Sequence, residues 1–205
     1  MTDYTAIYET GEAIAELLRN GMCPEPVAKR EHIGVCEPQS PEDYQITVWI
    51  YNIEELKDNG ANTGYSADPE NPLLERFAPL KLRLHLLISS HSKAPAIQKY
   101  ADEYRLIGRA MQILRDNPSL PAELLKGSIA DQSEPVLVEL EKLSADDMTK
   151  IWNNNQKTLR PSFGITVSQI MMKSNRVKTA GARVASADFS TVQLDDNNRQ
   201  RGKRS

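Results

Sequence analysis

The string EYRLIGRAMQILRDNP, residues 103–118, together with LKLRLHLLIS, residues 80–89, decides the fold class. In the second stretch Leu80, Leu82, Leu84, Leu86 and Ile88 alternate with Lys81, Arg83 and His85, the period of two of a half-buried β-strand. In the first, extended back to residue 97, Ile97, Tyr100, Tyr104, Ile107, Met111 and Leu114 recur every three to four residues. That spacing predicts a helix over 97–116 with one apolar stripe toward the core. Asn117-Pro118 ends it, because a residue before proline avoids the α region. On this reading Ile107→Asp unfolds the body, and Leu106→Asp is tolerated if that side faces a partner.

Residues 4–20 read as a first helix with Tyr4, Ile7, Tyr8, Ile14, Ala15 and Leu18 on one side and Gly21 as its C-cap. Four prolines in 22–45 leave room for one short strand, near 32–36. QITVWIYNI, residues 45–53, is β-branched and aromatic, apolar on both faces, and suits a strand near the middle of a sheet. Residues 54–79, with Asn59-Gly60, Asp68-Pro69 and Asn71-Pro72, read as a long loop of the kind that serves function or is ordered by a partner. Further on, 121–126 allows a short helical turn, and 134–140 and 159–172 read as strands. Ser144 starts a helix as N-cap, with Asp146 and Asp147 in its first turn. Strands cluster without strict alternation with helices. The expected fold is therefore α+β: a single domain, with a mixed or antiparallel sheet packed by a long helix and shorter helices, and an extended C-terminal arm. The domain spans 1–172 and the basic arm, extended or partly disordered, spans 173–205.

Composition narrows the function classes. An aromatic content of 6% argues against a surface built to stack bases or sugars. No apolar run approaches the ~20 residues of a membrane span. The acidic, polar opening MTDYTAIYETGEAI lacks a secretory pattern, so a cytoplasmic protein with no membrane partner is expected, its Cys23 and Cys36 kept as thiols. From residue 173 onward eight Lys/Arg face three Asp, which leaves 17 basic and 25 acidic residues in the body. A basic tail on an acidic body fits a solubilising end, an arm that docks on a neighbour, or a nucleic-acid contact.

Catalytic signatures are missing. There is no Gly-x-Ser-x-Gly elbow and no phosphate-binding loop ending in Lys-Ser/Thr. His85 alternates outward on its strand and His91 lies just past the strand's end, so surface or rim positions are expected for both. Cys23, His32 and Cys36 lack the paired spacing of a structural zinc site. The adjacent acids Glu42-Asp43, Glu54-Glu55 and Asp146-Asp147 point apart on any regular backbone. No enzyme activity, metal or cofactor is expected. Arg105 and Arg109, four apart and off the stripe, read either as contacts to a partner's carboxylates or as pairs to Asp102 and Glu103 one turn earlier. In the tail, Val184, Phe189, Val192 and Leu194, spread among small residues, suit a strand added to a sheet edge on another subunit.

The Gly108 string, with its terminal Asp116-Asn117-Pro118, resembles the signature helix of the cap, or tail-terminator, proteins of phage-tail-like contractile injection systems. Three further blocks resemble the same family in the same order: Ala13-Ile14 with Leu17-Leu18; PEDYQITVWIYNIEE at 41–55; and Leu143-Ser144, Ile151-Trp152, Pro161-Ser162 and Val167-Ser168 in 143–172. The resemblance covers residues 4–172. It implies a structural part: a ring, commonly a hexamer, at the end of the particle far from the baseplate. Such a ring ends growth of the inner tube and sheath and links the two, with sheath protein, inner tube protein and further copies of itself as partners. Assembly is expected in the cytoplasm, on a particle that is released or retained. The alternative reading is a nucleic-acid-binding module using the basic tail.

Overall fold

Leu82, Leu84, Leu86 and Ile88 do alternate into a core, and Leu87, Ser89 and Ser90 are buried as well, because the strand they form is covered on both faces at one end. The computed structural model describes residues 3–57, 64–68, 71, 73–130, 132, 134–152 and 159–179. A 3-10 turn, Asp3–Thr5, runs into helix α1 (Ala6–Met22), followed by strands β1 (Ile33–Val35), β2 (Ile46–Glu55), β3 (Tyr65–Ala67), β4 (Leu74–Phe77) and β5 (Leu80–Ser90). Helix α2 (Ala96–Asp116) comes next, then 3-10 turns Ala122–Leu124 and Gly127–Ile129, β6 (Leu137–Glu141), helix α3 (Ala145–Trp152), β7 (Ser162–Met172) and β8 (Val177–Thr179). The fold class is α+β, as expected.

The main sheet has the order β1-β2-β5-β7-β6. β1 runs parallel to β2 and every other pair is antiparallel, which makes the sheet mixed. Leu86 sits between Ile50 and Ile165, and its neighbour Leu87 sits between Trp49 and Gly164 on the opposite face. On the first face Ile14, Leu17 and Leu18 of α1 and Leu106, Ala110, Ile113 and Leu114 of α2 join the β5 leucines in one buried cluster. Each large side chain fully buried there contributes on the order of 1.5–3 kcal/mol. On the second face a Cβ at Gly164 would lie 2.8 Å from Leu143 Cδ1, so the segment leading to α3 packs directly on the sheet.

Two elements depart from the sequence reading. Gly21 lies inside α1, which Cys23 caps; a Cβ on Gly21 would lie 2.6 Å from Ile113 Cδ1, so the glycine lets α1 and α2 touch. Residues 54–79 are not loop alone: β3 and β4 pair with each other, and β8 adds to β4. This small antiparallel sheet is held by Arg76 on the buried Asp68 at 2.7 Å, with Arg176 over Phe77 and Lys178 over Tyr65. Two cations of the basic tail are thus spent on ring faces. As expected, Ser144 caps α3, and reciprocally: its Oγ accepts from Asp147 N at 3.1 Å, and Asp147 Oδ2 accepts from Ser144 N at 3.2 Å.

Candidate assembly interface

Most of the stripe assigned to the core on α2 faces out, although Leu114 is buried and Ile107 packs partly buried against the core. Ile97 is 98% exposed, Tyr100 60%, Tyr104 63% and Met111 39%. The buried face holds Glu103, Leu106, Ala110, Ile113 and Leu114. Both sets follow a three-and-four spacing, and the helix presents one to the core and the other to solvent. The outward set consists of large side chains with no charge, whereas the packed set includes an alanine and a carboxylate. Leu106, 1% exposed, is therefore a position that cannot carry a charge, contrary to the expectation for Leu106→Asp.

Glu103 is buried because the end of the sheet supplies its partners. Its Oε1 accepts from Arg160 Nη1 at 3.2 Å and from Ser92 N at 3.3 Å, while Asp102 accepts from the Ser92 hydroxyl. The acids one turn before Arg105 are thus engaged elsewhere. Arg105 is exposed with no hydrogen bond or ion pair to a described residue. Arg109 donates to Gly21 O at 3.2 and 3.0 Å and to Gln112 Oε1 at 2.8 Å, tying α2 to the end of α1. Arg115 is exposed on the same outer side. Val184, Phe189, Val192 and Leu194 lie outside the described residues.

Gly108 sits in the middle of this outer face, and a Cβ there would meet nothing within 4 Å. Glycine inside a helix costs about 1 kcal/mol relative to alanine, and nothing within the subunit requires it here.

A second surface lies along α1, where Tyr4 and Tyr8 are 73% and 62% exposed. The start of the first helix therefore also turns aromatic side chains outward, against the sequence reading. Beside them a cleft of about 320 Å³ is lined by Tyr8, Glu9, Glu12, Glu16, Arg19 and Lys126, among others. Burial would raise the Glu9 carboxyl, but bonds from Ser128 and Thr5 outweigh it and hold the group below the ordinary carboxylate range. Glu16 is lowered likewise, burial being outweighed by Arg19 and Arg30. Arg19 meets Glu12 at 3.3 Å and Glu16 at 3.2 Å.

A cavity of about 460 Å³ opens where β2, β5 and β7 meet the start of α2, lined by His91, Lys99, Glu103, Trp152 and Arg160 among others. His91, for which a surface or rim position was expected, is 8% exposed and lines the cavity. Its Nε2 lies 3.1 Å from Thr47 Oγ1. Burial first, and then the cations Arg160 and Lys99, push its pKa down to about 4. His85 lies on the outer sheet face with Nδ1 2.8 Å from Glu141 Oε1, and Tyr51 donates to Glu141 Oε2 at 2.7 Å. Burial and that carboxylate push the Tyr51 phenol well above its usual range. Among the described residues no three His, Cys, Asp or Glu side chains converge in a way that would hold a metal ion, and none of the helices is long and apolar enough to cross a membrane. Cys23 and Cys36 are free thiols, both raised chiefly by burial.

Residues 9–186 match the Pvc16 N-terminal domain family. The chain belongs to that family. The Pvc16 N-terminal domain seen here is similar in fold to two solved structures. One is the sheath/tube terminator, in the extended state, of the extracellular contractile injection system PVC, with TM-score 0.55 and 14% identity over 92% of this chain and 65% of that one. The other is the tube-terminating cap of the anti-feeding prophage, with TM-score 0.56 and 16% identity over 89% of this chain and 60% of that one. The chain therefore spans somewhat under two thirds of each of these relatives. Among curated proteins, none matches the sequence.

Proposed function

We propose that this Pvc16-type chain is the cap of a contractile, phage-tail-like injection particle: a structural protein, not an enzyme, that ends inner tube and sheath growth and links the two at the distal end. The observation that carries the reading is the family match over residues 9–186, joined to a fold shared with two terminators of such particles. The chain assembles in the cytoplasm as a ring, a hexamer in the simplest match to a six-fold tube, since a terminator must share the rotational symmetry of what it closes. In this reading residues 1–172 form the cap body and 173–205 the arm, rooted by β8 on the β3–β4 hairpin. Beyond that root, Val184, Phe189, Val192 and Leu194 add as a strand to an unpaired edge of the last sheath ring, and Arg105 and Arg109 face a partner's carboxylates.

The test is a gold-binding tag on this chain in purified particles. Label at one end only, opposite the baseplate, is the expected pattern. Label along the sheath, at the baseplate or on no particle would defeat the reading.

A further inference from the structure

We infer that the cavity at the start of α2 is a binding site for a carboxylate with an amide N–H beside it, the chemistry of an N-acylated amino acid or of the last residue of a peptide. Such a site goes beyond the cap role and stands whether or not that role holds.

Two buried polar atoms on side chains of its wall have no partner. Glu103, fully buried, uses Oε1 for Arg160 and the Ser92 amide, and its Oε2 meets no donor among the described residues. Trp152, 4% exposed, has an Nε1–H with no acceptor among them. Both side chains line the cavity. Unpaired buried groups are costly, and native proteins answer them with water, an ion or a ligand. Here the needs are opposite: one acceptor lacks a donor and one donor lacks an acceptor. A bare anion serves only the tryptophan, and a bare cation only the glutamate.

Charge narrows the ligand further. Lys99 also lines the cavity, half-buried, and makes no ion pair or hydrogen bond with a described residue. The other cations of the lining are balanced, Arg160 by Glu103 and Lys93 by Asp43 at 2.5 Å. His91 is neutral near pH 7, because burial and then Arg160 and Lys99 hold its pKa at about 4. Glu42, the remaining acid of the lining, is exposed to solvent. The inner wall is thus left with one uncompensated positive charge. A carboxylate answers Lys99 and accepts from the Trp152 indole, and an N–H on the adjacent carbon donates to Glu103 Oε2.

The walls are set in advance. Gln39, 3% exposed, donates to the Trp152 carbonyl at 3.3 Å and fixes the end of α3, while Arg160 and Ser92 hold Glu103. The volume of about 460 Å³ falls within the range of small-ligand sites, about 300–1,000 Å³.

The experiment follows the indole N–H signals of the full chain labelled with isotopic tryptophan. Trp49 and Trp152 give two signals, which Trp49→Phe assigns. Titration with N-acetylglycine at constant ionic strength should move the Trp152 signal to saturation and leave that of Trp49 in place. N-acetylglycinamide, without the carboxylate, and N-acetylsarcosine, with a methyl in place of the N–H, should each bind about tenfold more weakly. Lys99→Met should weaken N-acetylglycine by about the same factor with the melting temperature unchanged. A short peptide ending in glycine that binds more tightly than N-acetylglycine would identify a chain end as the occupant, and equal affinity would identify a free acid; either supports the site. A Trp152 signal that ignores N-acetylglycine would overturn it and leave water as the partner of both atoms. Acetate or N-acetylsarcosine binding as well as N-acetylglycine would show an adventitious ion only, at Lys99, and would overturn it too.

Discussion

Gly108 makes the free subunit less stable than its sequence allows. Replacing it with alanine adds a Cβ in open space and removes backbone freedom from the unfolded chain. Gly108→Ala should stabilise the dilute, unassembled protein by about 0.5–1 kcal/mol, a rise of a few degrees in melting temperature. A lower melting temperature would mean that the outer face of α2 is not open. His91 acts in the opposite direction. An unfolded chain protonates this histidine near 6.5, whereas the folded one resists protonation until about pH 4. Its contribution to stability is therefore complete above pH 6.5 and is lost as the pH falls from there through 4, by roughly 3 kcal/mol in all. Denaturant melts across that window should show the slope, and His91→Gln, which cannot titrate there, should flatten it. An unchanged slope in the variant would assign the acid sensitivity to carboxylates.

At the scale of the element, α2 shows what the sequence carries and what it does not. Its length and its stop at Asn117-Pro118 follow from local rules, and so do the alternation of β5 and the cap of α3. Its orientation does not follow. The outward stripe of Ile97, Tyr100, Tyr104 and Met111 holds no charge, whereas the packed stripe of Glu103, Leu106, Ala110, Ile113 and Leu114 includes a carboxylate that is made acceptable by Arg160, 57 residues away in the chain. No local pattern reports such a partner. The same holds for β3, β4 and β8: each is three or four residues long and is fixed by rings and charges that meet only in three dimensions. An aromatic stripe flanked by arginine was the available signal for an interface, and it reads equally well as a core. The corrected orientation predicts that Leu106→Asp unfolds the subunit, at a cost of several kcal/mol, while Tyr104→Asp leaves the melt within about 0.5 kcal/mol of wild type. Equal damage from both substitutions would contradict the assigned faces.

Across the whole molecule, the parts divide by task. The five-stranded sheet shares one buried cluster with α1 and α2, and β8, where the proposed arm begins, pairs with β4 of the second sheet. The outer face of α2 turns Ile97, Tyr100, Tyr104 and Met111 to solvent, away from that cluster. In the proposed role the chain sets length by occupying the last ring of tube and sheath, so losing it should free growth at that end. The direct measurement is the length distribution of particles from cells with and without this chain, imaged by electron microscopy. The account predicts one sharp length with the chain present and, without it, tubes or sheaths of widely varied length with no end density. Particles of unchanged, uniform length and intact distal ends in its absence would contradict it.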